Sequence, residues 1–345
     1  MRSTTSGLAA ACALAALSLS GCGGGGAPPT GGGATTLRLG YFPNLTHATA
    51  IVGVETGIFA EELGPHRLSV TTFNAGPAAV EALFSGAVDA TYLGPNPAIN
   101  AFARSGGEAV RIVAGATSGG AALVVRPSIS GPADLRGRKL ATPQLGNTQD
   151  VALRHWLREH GLRTDPHGGG DVSILPQENA QTLDTFRSGA VDGAWVPEPW
   201  ATRLVQEGGG KALIDERDLW PGGRFVTTHL VVRTEFLKRQ PDAVRRLVQG
   251  QVRANEVVNT DPGEAQRIVD GGIAKVTGRG IPPAVMAAAW ANLEFTNDPV
   301  AASLRASADH AAAVGLLDRV DLSGIYDLRA LNAVLRDAHQ PEVRG

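Results

Sequence analysis

Short apolar segments alternate with amphipathic segments along most of the chain, a pattern that predicts an α/β protein. Residues 37–42 alternate between apolar and polar types and are followed by Pro43 and Asn44, as a short strand would be. Residues 47–63 carry apolar side chains at helical spacing, which predicts one helix. Further strands are expected at 68–73, 88–93, 109–117 and 121–126. Strands that alternate with helices favour a largely parallel sheet.

A second series of the same kind follows, with strands expected at 139–142, 172–175 and 194–196 and helices beginning at Asn147, Asn179 and Pro197. The two series share an internal repeat, because Ser-Gly-Ala-Val-Asp at 85–89 recurs at 188–192. Each copy leads into a strand that ends at a proline-rich turn. We therefore predict two similar α/β lobes that each contribute the same helix-to-strand joint.

The remainder of the chain returns to the first lobe in this interpretation. A strand at 225–233 precedes helices expected at 241–260, 262–277, 283–293, 300–317 and 328–339. We predict a first lobe formed by 37–126 and 229–345, and a second lobe formed by 127–228. The chain would cross between the lobes near 124–127 and 228–232, which would form a two-strand hinge.

The first residues have the features of an export signal. Arg2 precedes a short apolar stretch at 8–19, and Leu19-Ser20-Gly21-Cys22 follows it. This motif resembles the end of a bacterial lipoprotein signal, which predicts a signal peptide at 1–21, lipid attached to Cys22, and a location at the outer face of the cell membrane. An ordinary cleaved signal with a chance cysteine is the alternative. Residues 22–36, rich in Gly, Pro and Thr, are expected to form a flexible tether.

Charge and cysteine content narrow the function classes. The 345 residues carry 31 Lys and Arg against 33 Asp and Glu, and this near-neutral balance argues against a nucleic-acid partner. The two cysteines are Cys12 and Cys22, which excludes a disulfide framework and a cysteine-rich metal site. The sequence has no Gly-x-Ser-x-Gly, His-Glu-x-x-His or Walker motif. We expect neither a metal nor a cofactor.

Small polar residues and glycines gather where predicted strands end and helices begin. In an open α/β sheet this edge binds ligands, and helix N-termini there present unpaired N–H groups to an anion. We predict a cleft for a small oxyanion, although helix capping alone would also explain each joint. The candidate residues are Asn44, Thr46, His47, Gly76, Pro77, Pro95, Asn96, Ser118, Gly119, Gly120, Asn147, Thr148, Trp195 and Glu198.

Three of these candidates have two interpretations. Glu198 would bind the amine of a zwitterionic solute, or it is an acidic residue in a first helical turn favoured by the helix dipole. His47 would donate a hydrogen bond to the solute, or it is a residue at a helix end. Trp195 would form one wall of the ligand site, or it belongs to the core.

Several of these segments resemble the sulfonate/nitrate/taurine-type substrate-binding lipoproteins of ABC transporters. The resemblance covers roughly 37–335 and is carried by 39–48, Ala75-Gly76-Pro77, 94–97, 141–150 and Trp195-Val196-Pro197-Glu198-Pro199-Trp200. It implies a type II periplasmic-binding-protein fold, with two α/β lobes around a central cleft. It also implies ligand contacts through Asn44, Thr46, Gly76, Asn96, Ser118, Asn147, Thr148 and Glu198.

The resemblance implies a monomer that delivers a small solute, of aliphatic sulfonate, taurine or nitrate type, to the permease and ATPase subunits of an ABC importer. A sensor of the same fold, docked on a membrane kinase, is an alternative. An exported enzyme is a second alternative, since a related branch makes a thiamine precursor with a cysteine-rich iron motif. This chain lacks that motif, which argues against the enzyme.

Overall fold

The computed structural model describes residues 34–345, in which eleven strands alternate with helices. The signal peptide at 1–21, Cys22 and most of the expected tether lie outside the described residues. The strands are β1 Thr36–Tyr41, β2 Arg67–Thr72, β3 Ala90–Leu93, β4 Val110–Gly119, β5 Ala121–Val125, β6 Lys139–Thr142, β7 Ser173–Pro176, β8 Gly193–Pro197, β9 Lys211–Asp215, β10 Val226–Arg233 and β11 Leu293–Phe295.

Most of the helices begin within a few residues of a strand end or at a proline. They are α1 Ala48–Glu55, α2 Ile58–Leu63, α3 Gly76–Phe84, α4 Pro95–Arg104, α5 Thr148–Glu159, α6 Asn179–Ser188, α7 Trp200–Gln206, α8 Thr234–Arg239, α9 Pro241–Thr260, α10 Pro262–Thr277, α11 Pro283–Trp290, α12 Ala301–Ala313 and α13 Arg329–Asp337. In the part of the chain that is described, every helix is too short or too polar to cross a bilayer.

The strands form two sheets with corresponding order. The first is β11-β4-β10-β3-β1-β2 and the second is β7-β6-β8-β5-β9. In each, three strands are parallel and the fourth, β10 or β5, pairs antiparallel with the third. The α/β class with two lobes is confirmed, but the sheets are mixed rather than largely parallel. The sheets are mixed because β10 and β5, which lie next to the two crossings between the sheets, run antiparallel to the three parallel strands.

The repeated Ser-Gly-Ala-Val-Asp segment forms the same joint in both sheets. Gly86 and Gly189 have φ of 72° and 85°, values that glycine adopts without strain. The Asp89 carboxylate accepts the Arg38 N–H at 3.0 Å, and the Asp192 carboxylate accepts the Lys139 N–H at 2.9 Å. Each aspartate therefore secures the first parallel strand of its sheet.

The first crossing lies earlier than the sequence predicted. We expected it near 124–127, but β5 already pairs with β8 and β9 of the second sheet, so the chain crosses at Gly119 and Gly120. Both glycines have φ above 70°. The return, expected near 228–232, also lies earlier, because β10 of the first sheet already begins at Val226. The chain passes back through two short 3₁₀ turns, Glu216–Leu219 and Pro221–Gly223.

Two other differences are local. The helix expected at 47–63 is divided into α1 and α2, because Gly57 takes a left-handed conformation with φ of 79°. Strands β9 and β11 and helix α8 were not predicted; β11 has three residues and α8 six, which is too few to show a period. The later helices mostly pack as expected, with α9 against α1 and α2, while α12 contacts both α4 of the first lobe and α5 of the second.

Candidate functional site

A small cavity lies between the lobes, at the ends of the parallel strands. Its volume of about 30 Å³ leaves room for roughly two water molecules. It is lined by Phe42, Asn44, Thr46, His47, Asn74, Ala75, Gly76, Gly94, Pro97, Pro143, Asn147, Thr148, Gln149, Asn179, Pro197 and Thr227. A solute larger than this space can enter only when the lobes move apart.

The lining combines apolar and polar groups and carries no formal charge. Among the described residues that form it, none is Asp, Glu, Lys or Arg. Its polar groups are amides, threonine hydroxyls, one imidazole and backbone N–H groups. A ligand held here would be recognised by hydrogen bonds and helix dipoles rather than by an ion pair.

Four helices begin at the cavity. Gly76 opens α3, Asn179 opens α6, Gly94 precedes α4, and Asn147 precedes α5. The first N–H groups of a helix have no partner within it, and its N-terminus carries a partial positive charge of about half a unit. Four such ends would favour an anion in the cavity without a cationic side chain.

The start of α5 orients a chain of amides. The Asn147 side-chain oxygen accepts the Asp150 N–H at 2.9 Å, and a backbone N–H can only donate. The Asn147 amide nitrogen therefore points the other way and donates to Gln149 Oε1 at 3.2 Å. Gln149 consequently keeps its Nε2 hydrogens as donors on a side chain that lines the cavity.

His47 is held as a neutral donor. The Phe42 N–H donates to His47 Nδ1 at 3.3 Å, which places the ring proton on Nε2. Complete burial lowers the pKa of His47 to about 3. Its ring packs on Phe42 at a centroid distance of 4.4 Å. His47 therefore keeps an N–H donor on a side chain that lines the cavity, and it also stands at the start of α1.

The structure gathers six of the predicted site residues at the cavity, namely Asn44, Thr46, His47, Gly76, Asn147 and Thr148. Others lie nearby with structural partners. Pro77 lines a separate surface groove, and Pro95 forms the first turn of α4, where Pro97 rather than Asn96 reaches the cavity. Asn96 instead donates to the Ser307 carbonyl at 3.0 Å.

The residues of the first crossing pack against protein. Ser118 pairs with β10 and β11, and a side chain added at Gly119 or Gly120 would meet Asn292 or Leu293. Trp195 is fully buried among the apolar side chains of the second lobe and donates to Glu216 at 2.7 Å. For Trp195 the structure agrees with the core interpretation.

Glu198 is buried and bonded within the protein. Its carboxylate accepts the Thr202 N–H at 3.1 Å, the Thr202 hydroxyl at 2.9 Å and the Asn292 amide at 2.8 Å. Burial raises its pKa, against the effect of these hydrogen bonds. The bonds to Thr202 cap the first turn of α7, as the helix-dipole interpretation expects, and Asn292 belongs to the first lobe.

Sequence reasoning missed Asn74, Gln149, Asn179 and Thr227, which also line the cavity. The rule that identified Asn147 applies equally to Asn179, since both lie at the start of a helix that follows a parallel strand. Thr227 lies on β10, whose return to the cavity is a consequence of topology. No local pattern in the sequence marks that position.

Comparisons with known proteins identify a family and several relatives of this chain. The model of the NMT1-like family matches residues 31–271. The taurine-binding periplasmic protein of Escherichia coli K12 is 29% identical over 207 residues, which are 59% of this chain and 61% of that protein.

Solved structures share the fold. The alkanesulfonate-binding protein SsuA of Xanthomonas axonopodis, bound to MOPS, has a TM-score of 0.71 at 20% identity, over 86% of this chain and 99% of that one. The nitrate-binding protein NrtA of Synechocystis PCC 6803 has a TM-score of 0.73 at 16% identity, over 89% and 90% of the two chains. These structures share the fold of this protein, and the family model matches more than half of its length. The chain therefore belongs to the NMT1-like family.

Proposed function

We propose that this protein is the extracytoplasmic substrate-binding component of an ABC importer and that it binds a small anionic or zwitterionic solute between its lobes. The observation that carries the proposal is the cavity itself, in which neutral hydrogen-bond donors and four helix N-termini converge. The names of the relatives, which include taurine-, sulfonate- and nitrate-binding proteins, support the same solute class.

The proposal includes the assembly around the protein. Lipid on Cys22 would hold a monomer at the outer face of the membrane, and residues 22–36 would tether it within reach of a permease that works with an ATPase. The predicted lobes, 37–126 with 229–345 and 127–228, would need the first boundary moved to Gly119–Gly120 and the second moved before Val226 to match the sheets. Closure of the lobes on the solute would be the change that the permease detects.

A thermal-shift screen of the purified protein tests the solute class. The panel would contain alkanesulfonates, taurine, nitrate, bicarbonate, aromatic carboxylates and aminopyrimidines. A solute at a thousand times its Kd should add about 4 kcal/mol of stability and shift the melting temperature by several degrees. A screen in which neither taurine nor any of the anions stabilises the protein would contradict the proposal.

Thr148→Ala is expected to weaken binding of the solute found in that screen by about five- to tenfold, because it removes a hydroxyl that lines the cavity. Isothermal titration would measure the change. Thr49→Ala is the matched control, since Thr49 is also buried but bonds to Asn255 within the first lobe. Asn147→Ala is a poorer test than Thr148→Ala, because Asn147 also caps α5, a contact worth about 1 kcal/mol.

Gly94→Ala is expected to obstruct closure and reduce affinity at least tenfold. Its φ of −70° suits alanine within the first lobe, but the added methyl would overlap the Thr148 hydroxyl of the second lobe. Gly131 is a matched control, because it also precedes a proline at a helix start and an added methyl there meets nothing within 4 Å.

A suppressor strengthens this test. In Gly94→Ala with Thr148→Ala the overlap disappears, since the Thr148 Cβ lies 3.6 Å from the added methyl. The double variant should bind no more weakly than Thr148→Ala alone. Independent, multiplying losses would contradict closure at this contact.

A further inference from the structure

We propose that Trp200 is a positioning residue for the solute: from the second lobe, its indole N–H fixes the Asn44 amide of the first lobe so that the amide nitrogen is presented to the solute. The inference rests on the proposed function of the cavity. Closure of the lobes would then complete the set of hydrogen-bond donors that face the solute.

One hydrogen bond determines how the Asn44 side-chain amide is oriented. The Trp200 Nε1–H donates to Asn44 Oδ1 at 2.9 Å. An indole can only donate, so the atom that it contacts must be the amide oxygen, and the Nδ2 hydrogens of Asn44 are left for another acceptor. Asn44 is buried and lines the cavity, where an oxyanion would supply that acceptor.

The backbone of Asn44 is fixed inside the first lobe, but its side chain is not. The Asn44 N–H donates to the Phe42 carbonyl at 2.8 Å, and the Asn44 carbonyl accepts the His47 N–H at 3.0 Å. Within residues 34–345 the side-chain amide of Asn44 bonds to Trp200. When the lobes separate, the amide loses this partner and is free to rotate.

Trp200 is itself held in place within the second lobe. It is the first residue of α7, and the Arg203 guanidinium lies 4.9 Å from the centre of its ring. Arg203 in turn bonds to Glu207 at 2.8 Å, one helical turn further on. The indole therefore meets Asn44 in an orientation that its own lobe supports.

The pair stands where the cavity opens to the surface. Asn44, Asn74 and Asn179 line the cavity and also a neighbouring groove of about 240 Å³ to which Trp200 and Arg203 belong. A solute that enters by this groove would pass the open pair before the indole bonds to Asn44. Closure and orientation of the donor would then occur in one step.

The first test measures the amide directly and needs no solute. In full-length protein labelled with ¹⁵N-asparagine, the side-chain NH₂ signals of Asn44 are assigned by their loss in Asn44→Ala. Trp200→Phe keeps a ring beside Arg203 but removes the N–H, so these signals should shift and broaden. Trp290→Phe is the control, because Trp290 packs on Phe295. Unchanged Asn44 signals in Trp200→Phe would overturn the inference.

The second test measures affinity by titration with nitrate, ethanesulfonate and taurine. Trp200→Phe should weaken binding about five- to tenfold, the usual effect of one hydrogen bond. In an Asn44→Ala background the same change should have little further effect, which a merely structural tryptophan would not show. The inference would be overturned if Trp200→Phe weakened binding equally in the wild-type and Asn44→Ala backgrounds, or if it did not weaken binding in the wild-type background. If none of the probes binds wild-type protein, the proposed solute class fails, and the amide signals still decide whether Trp200 orients Asn44.

Discussion

Arg154→Met is expected to lower the free energy of unfolding by about 3–5 kcal/mol, because it leaves the Asp150 carboxylate buried without its counter-charge. The side chains of Arg154 and Asp150 are 1% and 0% exposed and are joined at 3.0 Å. Asp150 also accepts the Thr142 hydroxyl at 3.0 Å and the Gly146 N–H at 2.9 Å. The variant should therefore also loosen the turn that leads to Asn147.

Urea unfolding followed by circular dichroism would measure this loss. Arg246→Met is the matched control, since Asp242 and Arg246 form the same pair at the same helical spacing with side chains 58% and 35% exposed. An exposed pair of this kind contributes at most about 0.5 kcal/mol. Similar losses in the two variants would contradict the role assigned to burial.

Wild-type protein is expected to lose stability as the pH rises because of Glu216, and Glu216→Gln is expected to abolish that pH dependence. Burial raises the pKa of Glu216 from 4.5 to about 7, against hydrogen bonds from Trp195 and Trp220. A carboxyl group with a raised pKa stabilises the folded state below pH 4.5 relative to higher pH, and that contribution is lost between pH 4.5 and 7. The difference of roughly 2.5 pKa units corresponds to about 3 kcal/mol.

The measurement is the difference in unfolding free energy between the variant and wild type at pH 4.5 and at pH 8. Between pH 4.5 and pH 8 the unfolding free energy of the variant should rise by about 3 kcal/mol relative to that of wild type, whatever the difference is at pH 4.5. The subtraction cancels the buried histidines His47 and His229, whose pKa values burial lowers to about 3 and about 4. Glu207→Gln is the control, because the pKa of Glu207 is lowered by Arg203. A constant difference for Glu216→Gln would contradict the prediction.

Periodicity and turn residues located most of the elements. The bounds of α9 and α10 agree with the sequence to the residue, since each helix begins at a proline and carries a long amphipathic pattern. The repeat at 85–89 and 188–192 indicated two related lobes before any coordinates were considered. Short strands such as β11, with three residues, show no period and were missed.

The site was only half predictable for a related reason. Asn44, Asn147 and Thr148 lie at helix starts, which a linear sequence reveals. Glu198 and Trp195 follow the same strand-to-helix pattern, yet their side chains bond to Thr202, Asn292 and Glu216 inside the protein. The position of a residue at a joint indicates that it is near the cleft, but its rotamer and neighbours decide whether it faces the cleft.

The sequence by itself determined the α/β class, the two-lobe repeat and the chemistry of neutral donors at strand ends, because these depend on periods and caps within a few residues. The tertiary structure decided where the chain crosses between sheets, which amides face the cavity and how each is oriented. Those properties depend on partners far apart in the chain, such as Trp200 for Asn44, 156 residues away. An amide has two chemically different ends, and only its neighbour in space determines which end the solute meets.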